Sequence, residues 1–355
     1  MKRVLMFLAL GSIFVLLGLL SFSLTQQDKG VRSSDVTARS KRSAERGIKW
    51  LLKIQHRNGA WGCEKGSPPD ICITSLAALA LMSKGDTPNR GKNARAIKKA
   101  LYFVLQTAER RRFGHITTGQ CAATRMGMGS FLDHACATIF LSQIYGQVGD
   151  KQIEQRIRRV LRKAVVTIEK AQNRDGGWGG EIGRRQSLLS VTAMAWLALR
   201  SAHSSGTTIK YASCEKSVRF AKRSYKRAPQ SGGRFLALAS ALRILYGMGK
   251  RNIPQAKRAT RQMFGMNLGT DFGGRISEWC YLAAFLGTQA LSHSRYTENK
   301  RWKRWFRKIR RKLIRIQNAD GSWTMDYCYV CRAFATALAV LTLEIPYWLL
   351  PLVDH

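Results

Sequence analysis

Acidic residues are scarce in this chain: 21 Asp and Glu stand against 60 Lys and Arg, which leaves a net charge of +39. Such an excess bears on surface and partners and not on fold. Proline is scarce as well, with 7 in 355 residues, and apolar residues reach 45%, so a disordered chain is excluded and a helix-rich globular one is expected. No compact basic arm and no nucleic-acid-binding motif occurs. Lys and Arg are spread along the whole length. Nucleic acid is therefore not an expected partner, and anionic lipid headgroups rank first. Nothing in the pattern sets an oligomeric state.

Long uncharged runs are few too, and the one that stands out follows Lys2 and Arg3: "VLMFLALGSIFVLLGLLSFSL", about 21 residues and long enough to cross a bilayer. Residues 1–27 read as a signal peptide or a retained membrane anchor. Ser21 and Ser23 suit a signal-peptidase site, while the apolar run is longer than most signal peptides carry. Lys29, Arg32, Arg39, Lys41 and Arg42 lie beyond it and match the charge before it, so the positive-inside rule sets no orientation. Residues 28–37 form a polar linker and 38–355 a single folded domain. A membrane-anchored protein, or one exported to the cell envelope, is expected.

Cysteines fall at 63, 72, 121, 136, 214, 280, 328 and 331. An even count in an exported chain permits disulfides, with Cys63–Cys72 and Cys121–Cys136 as the loop-local pairs; small buried thiols are the other reading.

What the chain has in quantity is one repeated helix ending. "KIQHRNGAWG" from Lys53 returns as "KAQNRDGGWG" from Lys170 and "RIQNADGSWT" from Arg315. Each follows an amphipathic run and precedes an apolar one, so the unit is a helical hairpin. Gly59, Gly176 and Gly321 sit where a left-handed residue ends a helix. Gln55, Gln172 and Gln317 lie in the last turn, where an amide can satisfy helix-end carbonyls. Trp61, Trp178 and Trp323 would cover that joint. Eroded copies from Ala96, from Ser217 (keeping Gln230, Gly233 and Phe235) and from Gln255 (ending on Phe272) bring the first helices to six.

Partner helices are predicted near 72–84, 133–148, 187–203, 235–248, 276–292 and 329–344. These second helices are nearly uncharged and belong inside; the first helices carry one charged face. From Asn299 to Arg315, Trp302, Trp305, Phe306, Ile309, Leu313 and Ile316 form a stripe, and ten Lys/Arg residues occupy the rest as an outer wall. A closed ring of hairpins is the economical arrangement, an open solenoid the alternative.

Arg46, Gly47, Trp50, Leu51, Gln55, Gly59 and Trp61 resemble the QW motif of squalene-hopene and related terpene cyclases position for position, and Lys163, Ala164, Ile168, Gln172, Gly176 and Trp178 nearly so. Over about residues 38–345 the chain is similar to the prenyltransferase/squalene-oxidase repeat superfamily, most like bacterial single-toroid proteins without an assigned activity. The resemblance implies an all-α fold, an α/α toroid of six hairpins as in terpenoid cyclases and protein prenyltransferases. It also implies a central cavity for an apolar, polyisoprenoid ligand. Binding without catalysis, as a scaffold of the cell envelope, is the alternative.

The catalytic residues of those relatives are mostly missing. The D-x-D-D acid of squalene-hopene-type cyclases is absent, and Cys63-Glu64-Lys65 lacks the glutamine of a thioester C-x-E-Q motif. No cofactor is expected, with zinc as the alternative: Asp326-Tyr327-Cys328 matches the D-x-C pair of protein prenyltransferases, and His134 would be the distant third ligand, though in a different repeat order. Candidate catalytic residues are Asp133, His134 and Asp326; candidate rim residues are Cys72, Cys136, Glu278, Trp279, Cys280 and Tyr329. With Cys331, most of these fall near the starts of second helices. In a ring they would meet at one mouth as a catalytic or metal site, a set of disulfides, or helix caps.

Overall fold

The computed structural model describes residues 36–111, 114–119, 128–227, 233–266, 278–292, 299–324 and 331–347. Residues 1–27, expected to be a signal peptide or membrane anchor, lie outside them, and none of the described helices is long and apolar enough to cross a membrane.

The described residues are all-α, in twelve helices: α1 (Ala38–Ile54), α2 (Ile71–Met82), α3 (Ala94–Arg110), α4 (Phe131–Ile144), α5 (Lys151–Lys170), α6 (Leu189–Ser204), α7 (Tyr211–Ser224), α8 (Gly233–Gly247), α9 (Pro254–Gly265), α10 (Glu278–Ser292), α11 (Asn299–Arg315) and α12 (Arg332–Glu344). Local sequence sets several starts. Thr37 and Ser40 exchange side-chain-to-backbone hydrogen bonds of 3.1 and 3.0 Å at the head of α1. Asp70 accepts from the Ile73 N–H at 2.9 Å, Asp150 caps α5 through Gln152 and Ile153, and Pro254 opens α9.

Odd and even helices differ in burial as their charge predicts. In α5 only Ile153, Ile157, Val160, Leu161, Ala164, Val165 and Ile168 are buried, one stripe at helical spacing, whereas every residue of α2 and of α4 is buried. The even helices pack side to side in chain order, α2 on α4, α4 on α6, α6 on α8, α8 on α10 and α10 on α12. The last, α12, packs on α2, so the order of neighbours returns to its start; α1 lies against both α11 and α12.

The three clear repeat copies build the same joint atom for atom. The Trp61 indole N–H donates to the Leu51 carbonyl at 2.7 Å, that of Trp178 to Ile168 at 2.7 Å and that of Trp323 to Leu313 at 2.8 Å; all three side chains are fully buried. The backbone N–H of each tryptophan donates to a threonine of the next helix: Thr74 at 2.9 Å, Thr192 at 3.0 Å and Thr336 at 3.0 Å. Burying an indole of this size contributes about 5 kcal/mol before chain entropy is counted.

Each glutamine ties its own turn to the following first helix. Gln55 Nε2 donates to the Gly59 and Ala96 carbonyls at 3.0 Å each, and Gln172 Nε2 to Gly176 at 3.0 Å and Ser213 at 2.8 Å. Gln317 ties its turn to the first hairpin: its Nε2 donates to Gly321 at 2.8 Å and to the Ser43 carbonyl at 2.9 Å, and its Oε1 accepts from the Ser43 hydroxyl at 2.8 Å. Arg46 completes this contact through the Asn318 and Ala319 carbonyls, 2.8 Å each. Gly47 is small for the same reason, since a Cβ there would lie 2.8 Å from the Trp323 ring.

The eroded copies differ from expectation. Phe235 does not cover a turn; it lies inside α8, where it packs on Trp305 at 6.1 Å between ring centroids, and Gly233 is the first residue of α8. Gln230 and Phe272 lie outside the described residues. On α11, Trp302, Trp305, Phe306, Ile309 and Leu313 are buried as expected, but Arg310 is no part of the solvated wall: it is 9% exposed, over the Phe306 ring.

Gly176 has φ +90° and a Cβ there would meet the Lys216 carbonyl oxygen at 2.4 Å, while Gly183 has φ +83° and open space around it. Gly176→Ala is expected to cost on the order of 1–3 kcal/mol more than Gly183→Ala, which bears the left-handed backbone strain alone, as read by urea unfolding of the two variants. Gln317→Leu is expected to speed amide exchange in α1, and Gln55→Leu in α3; equal effects on both helices would contradict a directed tie between hairpins.

Candidate functional site

The starts of α2, α4 and α12 bring several of the candidate residues together. Cys72 in the first turn of α2 and Cys136 in the second turn of α4 place their Sγ atoms 3.3 Å apart. Cys331, the residue before α12, is hydrogen-bonded to the thiol of Cys63, and the Ala333 N–H donates to the Cys63 carbonyl at 3.0 Å. Asp70 faces both Cys72 and Cys331 electrostatically, and Asp133 faces Cys72. Burial, then the neighbouring thiol and the carboxylates, push the Cys72 thiol well above its ordinary pKa; burial and Cys63 do the same to Cys331. These thiols stay protonated, which suits neither a nucleophile nor a thiolate ligand. The neighbours differ from the loop-local ones expected from the sequence: all four cysteines are free thiols, with Cys136 beside Cys72 and Cys63 beside Cys331. Cys121 lies outside the described residues.

His134 is fully buried, and both ring nitrogens are engaged by backbone. Nδ1 accepts from the Ile116 N–H at 3.0 Å, so Nε2 carries the proton and donates to the Ala164 carbonyl at 3.1 Å. Desolvation, with a smaller contribution from His115, lowers its pKa to about 3. The ring of His115 lies edge-on at 5.6 Å between centroids, and its pKa is lowered mainly by burial. With no lone pair left on either nitrogen, His134 is neither a zinc ligand nor a proton acceptor in this arrangement. It is the bolt between the 114–119 loop, α4 and α5.

Asp133 sits beside it in the first turn of α4, fully buried, and accepts from the Thr117 hydroxyl at 2.8 Å. A carboxylate there complements the positive end of the helix. Cys280 is buried in the first turn of α10, Asp326, Cys328 and Tyr329 lie outside the described residues, and so do the side chains of Glu278 and Trp279. Among the described residues, no three His, Cys, Asp or Glu side chains are grouped as a metal site.

Several participants were missed at the sequence level. Glu181, from the third hairpin, caps α4 by accepting from the Ser130 N–H at 2.7 Å and from its hydroxyl. Thr74, Thr192 and Thr336 follow their tryptophans by 13 or 14 residues, a spacing that was readable. Arg243 has no such signal: it is fully buried on α8, donates to Gln289 at 3.2 Å, lies 4.8 Å over the Trp196 ring and has its pKa lowered to about 9 by burial and then Arg200.

Cavities among the described residues include one of about 280 Å³ lined by Glu109, Gly114, Ile116, Arg156 and Lys163 and another of about 500 Å³ lined by Tyr145, Arg158, Val165, Glu169 and Thr207. No family model matches the chain, and no curated protein is found to match it in sequence.

An imidazole held neutral costs stability in acid. The unfolded chain protonates this ring below the ordinary value of 6.5 while the folded chain does so only near 3, so the unfolded state binds more protons in between and stability falls as pH drops from 6.5 toward 3. His134→Asn is expected to flatten that part of a plot of unfolding free energy against pH, even though the variant is less stable at pH 7. An unchanged slope would mean that His134 titrates normally.

Proposed function

We propose that this chain is a single-toroid member of the prenyltransferase/squalene-oxidase repeat superfamily that acts as a rigid binding or scaffold protein at an anionic membrane surface. The observation that carries the architecture is Gln317: the joint that links each clear repeat to the next one links the sixth hairpin to Ser43 of the first. An α/α toroid accounts for that contact, and for an even-helix order that begins and ends on α2, better than an open solenoid does. The locked His134 and the protonated thiols favour binding over catalysis.

The membrane part of this reading rests on charge. On α11, Lys300, Arg301, Arg304, Arg307, Lys308, Arg311 and Arg315 are exposed, while Trp302 and Trp305 point into the protein, with the Trp305 indole N–H donating to Thr288 at 3.3 Å. An amphipathic helix that inserts into lipid needs its aromatic face free. Here that face is spent on the core, so attraction to headgroups is electrostatic and salt-sensitive. A second reading, with an apolar polyisoprenoid held at the ring centre, draws on the even helices, which are largely apolar and rich in Ala and Leu, as in α2 and α12.

Flotation with vesicles containing phosphatidylglycerol tests the first reading. Reversing Lys300, Arg304, Arg307, Lys308 and Arg311 to Glu is expected to weaken binding at least tenfold in low salt. A variant that binds like the unaltered protein would overturn the assignment of this face. Native mass spectrometry of protein taken from its own membranes separates the two readings: an empty ring supports the scaffold, and one bound isoprenoid supports the ligand chamber.

A further inference from the structure

The four thiols at the helix starts are arranged as two pairs, and each pair spans two hairpins. Cys72 belongs to the first hairpin and Cys136 to the second; they are 64 residues apart in the chain and 3.3 Å apart at sulfur. Cys63 follows the Trp61 joint of the first hairpin, and Cys331 precedes the second helix of the sixth. The Ala333–Cys63 backbone bond of 3.0 Å fixes those two strands of chain against each other independently of the sulfurs. The pairs are separate, since the donors do not gather into a group of three or more that suits a metal.

We infer that Cys72–Cys136 and Cys63–Cys331 are disulfide-forming pairs that fasten the first hairpin to both hairpins it packs against, and that the Cys72–Cys136 bond forms before the helices close over it. A disulfide is about 2.05 Å long, so the Cys72 and Cys136 sulfurs need to approach by roughly 1.3 Å, within the reach of side-chain rotation. Timing follows from access. Cys72 is 1% exposed and Cys136 0%, so an oxidant does not reach either in the folded chain, and burial raises the Cys72 thiol well above its ordinary pKa, which withholds the attacking thiolate. Cys63 is partly exposed, so the second pair stays open to exchange longer. In each pair two thiols lose two protons and two electrons as the S–S bond forms, and the electrons reduce a small disulfide such as oxidised glutathione to two thiols. Both bonds close long loops, for which the loss of freedom in the unfolded chain is largest. Cys214 is an internal control: it is buried on α7, its electrostatic neighbours are Arg200, Glu169 and Glu215, and burial pushes its pKa up to about 12.

The test uses the full chain, reduced in denaturant and refolded in a mixture of oxidised and reduced glutathione. Remaining thiols are blocked with N-ethylmaleimide in denaturant, and unreduced peptides are mapped by mass spectrometry. Chain secreted into an oxidising compartment is mapped alongside, so the result does not depend on refolding. Expected are peptides linking Cys72 to Cys136 and Cys63 to Cys331, a blocked Cys214, and a thermal midpoint at least about 5 °C above that of the reduced protein. Native reduced protein placed in the same buffer is expected to keep Cys72 and Cys136 unlinked. Cys136→Ser should release Cys72 to the blocking reagent and leave Cys63–Cys331 intact. Recovery of a Cys63–Cys72 link, or of both members of a pair blocked after oxidising refolding, overturns the pairing; linkage of native Cys72 and Cys136 as fast as during refolding overturns the order of events.

Discussion

The structure depends on a carbonyl problem. A helix that ends leaves its last carbonyls without partners, and where two helices meet inside a protein those groups cannot turn to water. Here the indole N–H of Trp61, Trp178 or Trp323 takes a carbonyl of the preceding helix, and the glutamine amide takes one carbonyl of its own turn and one of the next hairpin. One arrangement therefore ends a helix, seals the joint with an aromatic ring and fixes the neighbour's position. The glycine is needed twice over, for its left-handed backbone and because the neighbouring helix lies against it: at Gly59, Gly176 and Gly321 a Cβ would meet Lys99, Lys216 or Arg46 backbone within 3 Å.

Polar groups at the starts of the even helices follow from the same constraint in reverse. Helix N-termini leave N–H groups unpaired, and Asp70, Asp133 and the Ser130–Glu181 pair sit where such ends are buried. His134 extends this logic by accepting one backbone N–H and donating to one backbone carbonyl on a third element. A cluster of Asp, His and Cys is thus gathered where helix ends are closed. The thiols fit as small apolar fillers that bring neighbouring hairpins into covalent range.

Charge is partitioned by layer. Trp302, Trp305 and Phe306 hold α11 to the core, so Lys300, Arg304, Arg307, Lys308 and Arg311 project outward, and Arg156 pairs with Glu109 across helices of the same layer.

By itself the sequence determined the helical class, the placement of most helices within a few residues, the inner and outer assignment, and the three glutamine–glycine–tryptophan joints. These are legible because spacing, turn chemistry and amphipathicity are local properties, and a stretch such as Gln172 to Trp178 carries its own turn. The site was legible only as a gathering of helix starts. That Cys72 meets Cys136 and not Cys63, that Gln317 closes on Ser43, and that His134 spends both nitrogens on backbone were decided by tertiary structure. Each depends on which distant hairpin lies alongside, and the pairing of elements separated by up to 274 residues leaves no periodic trace in the chain.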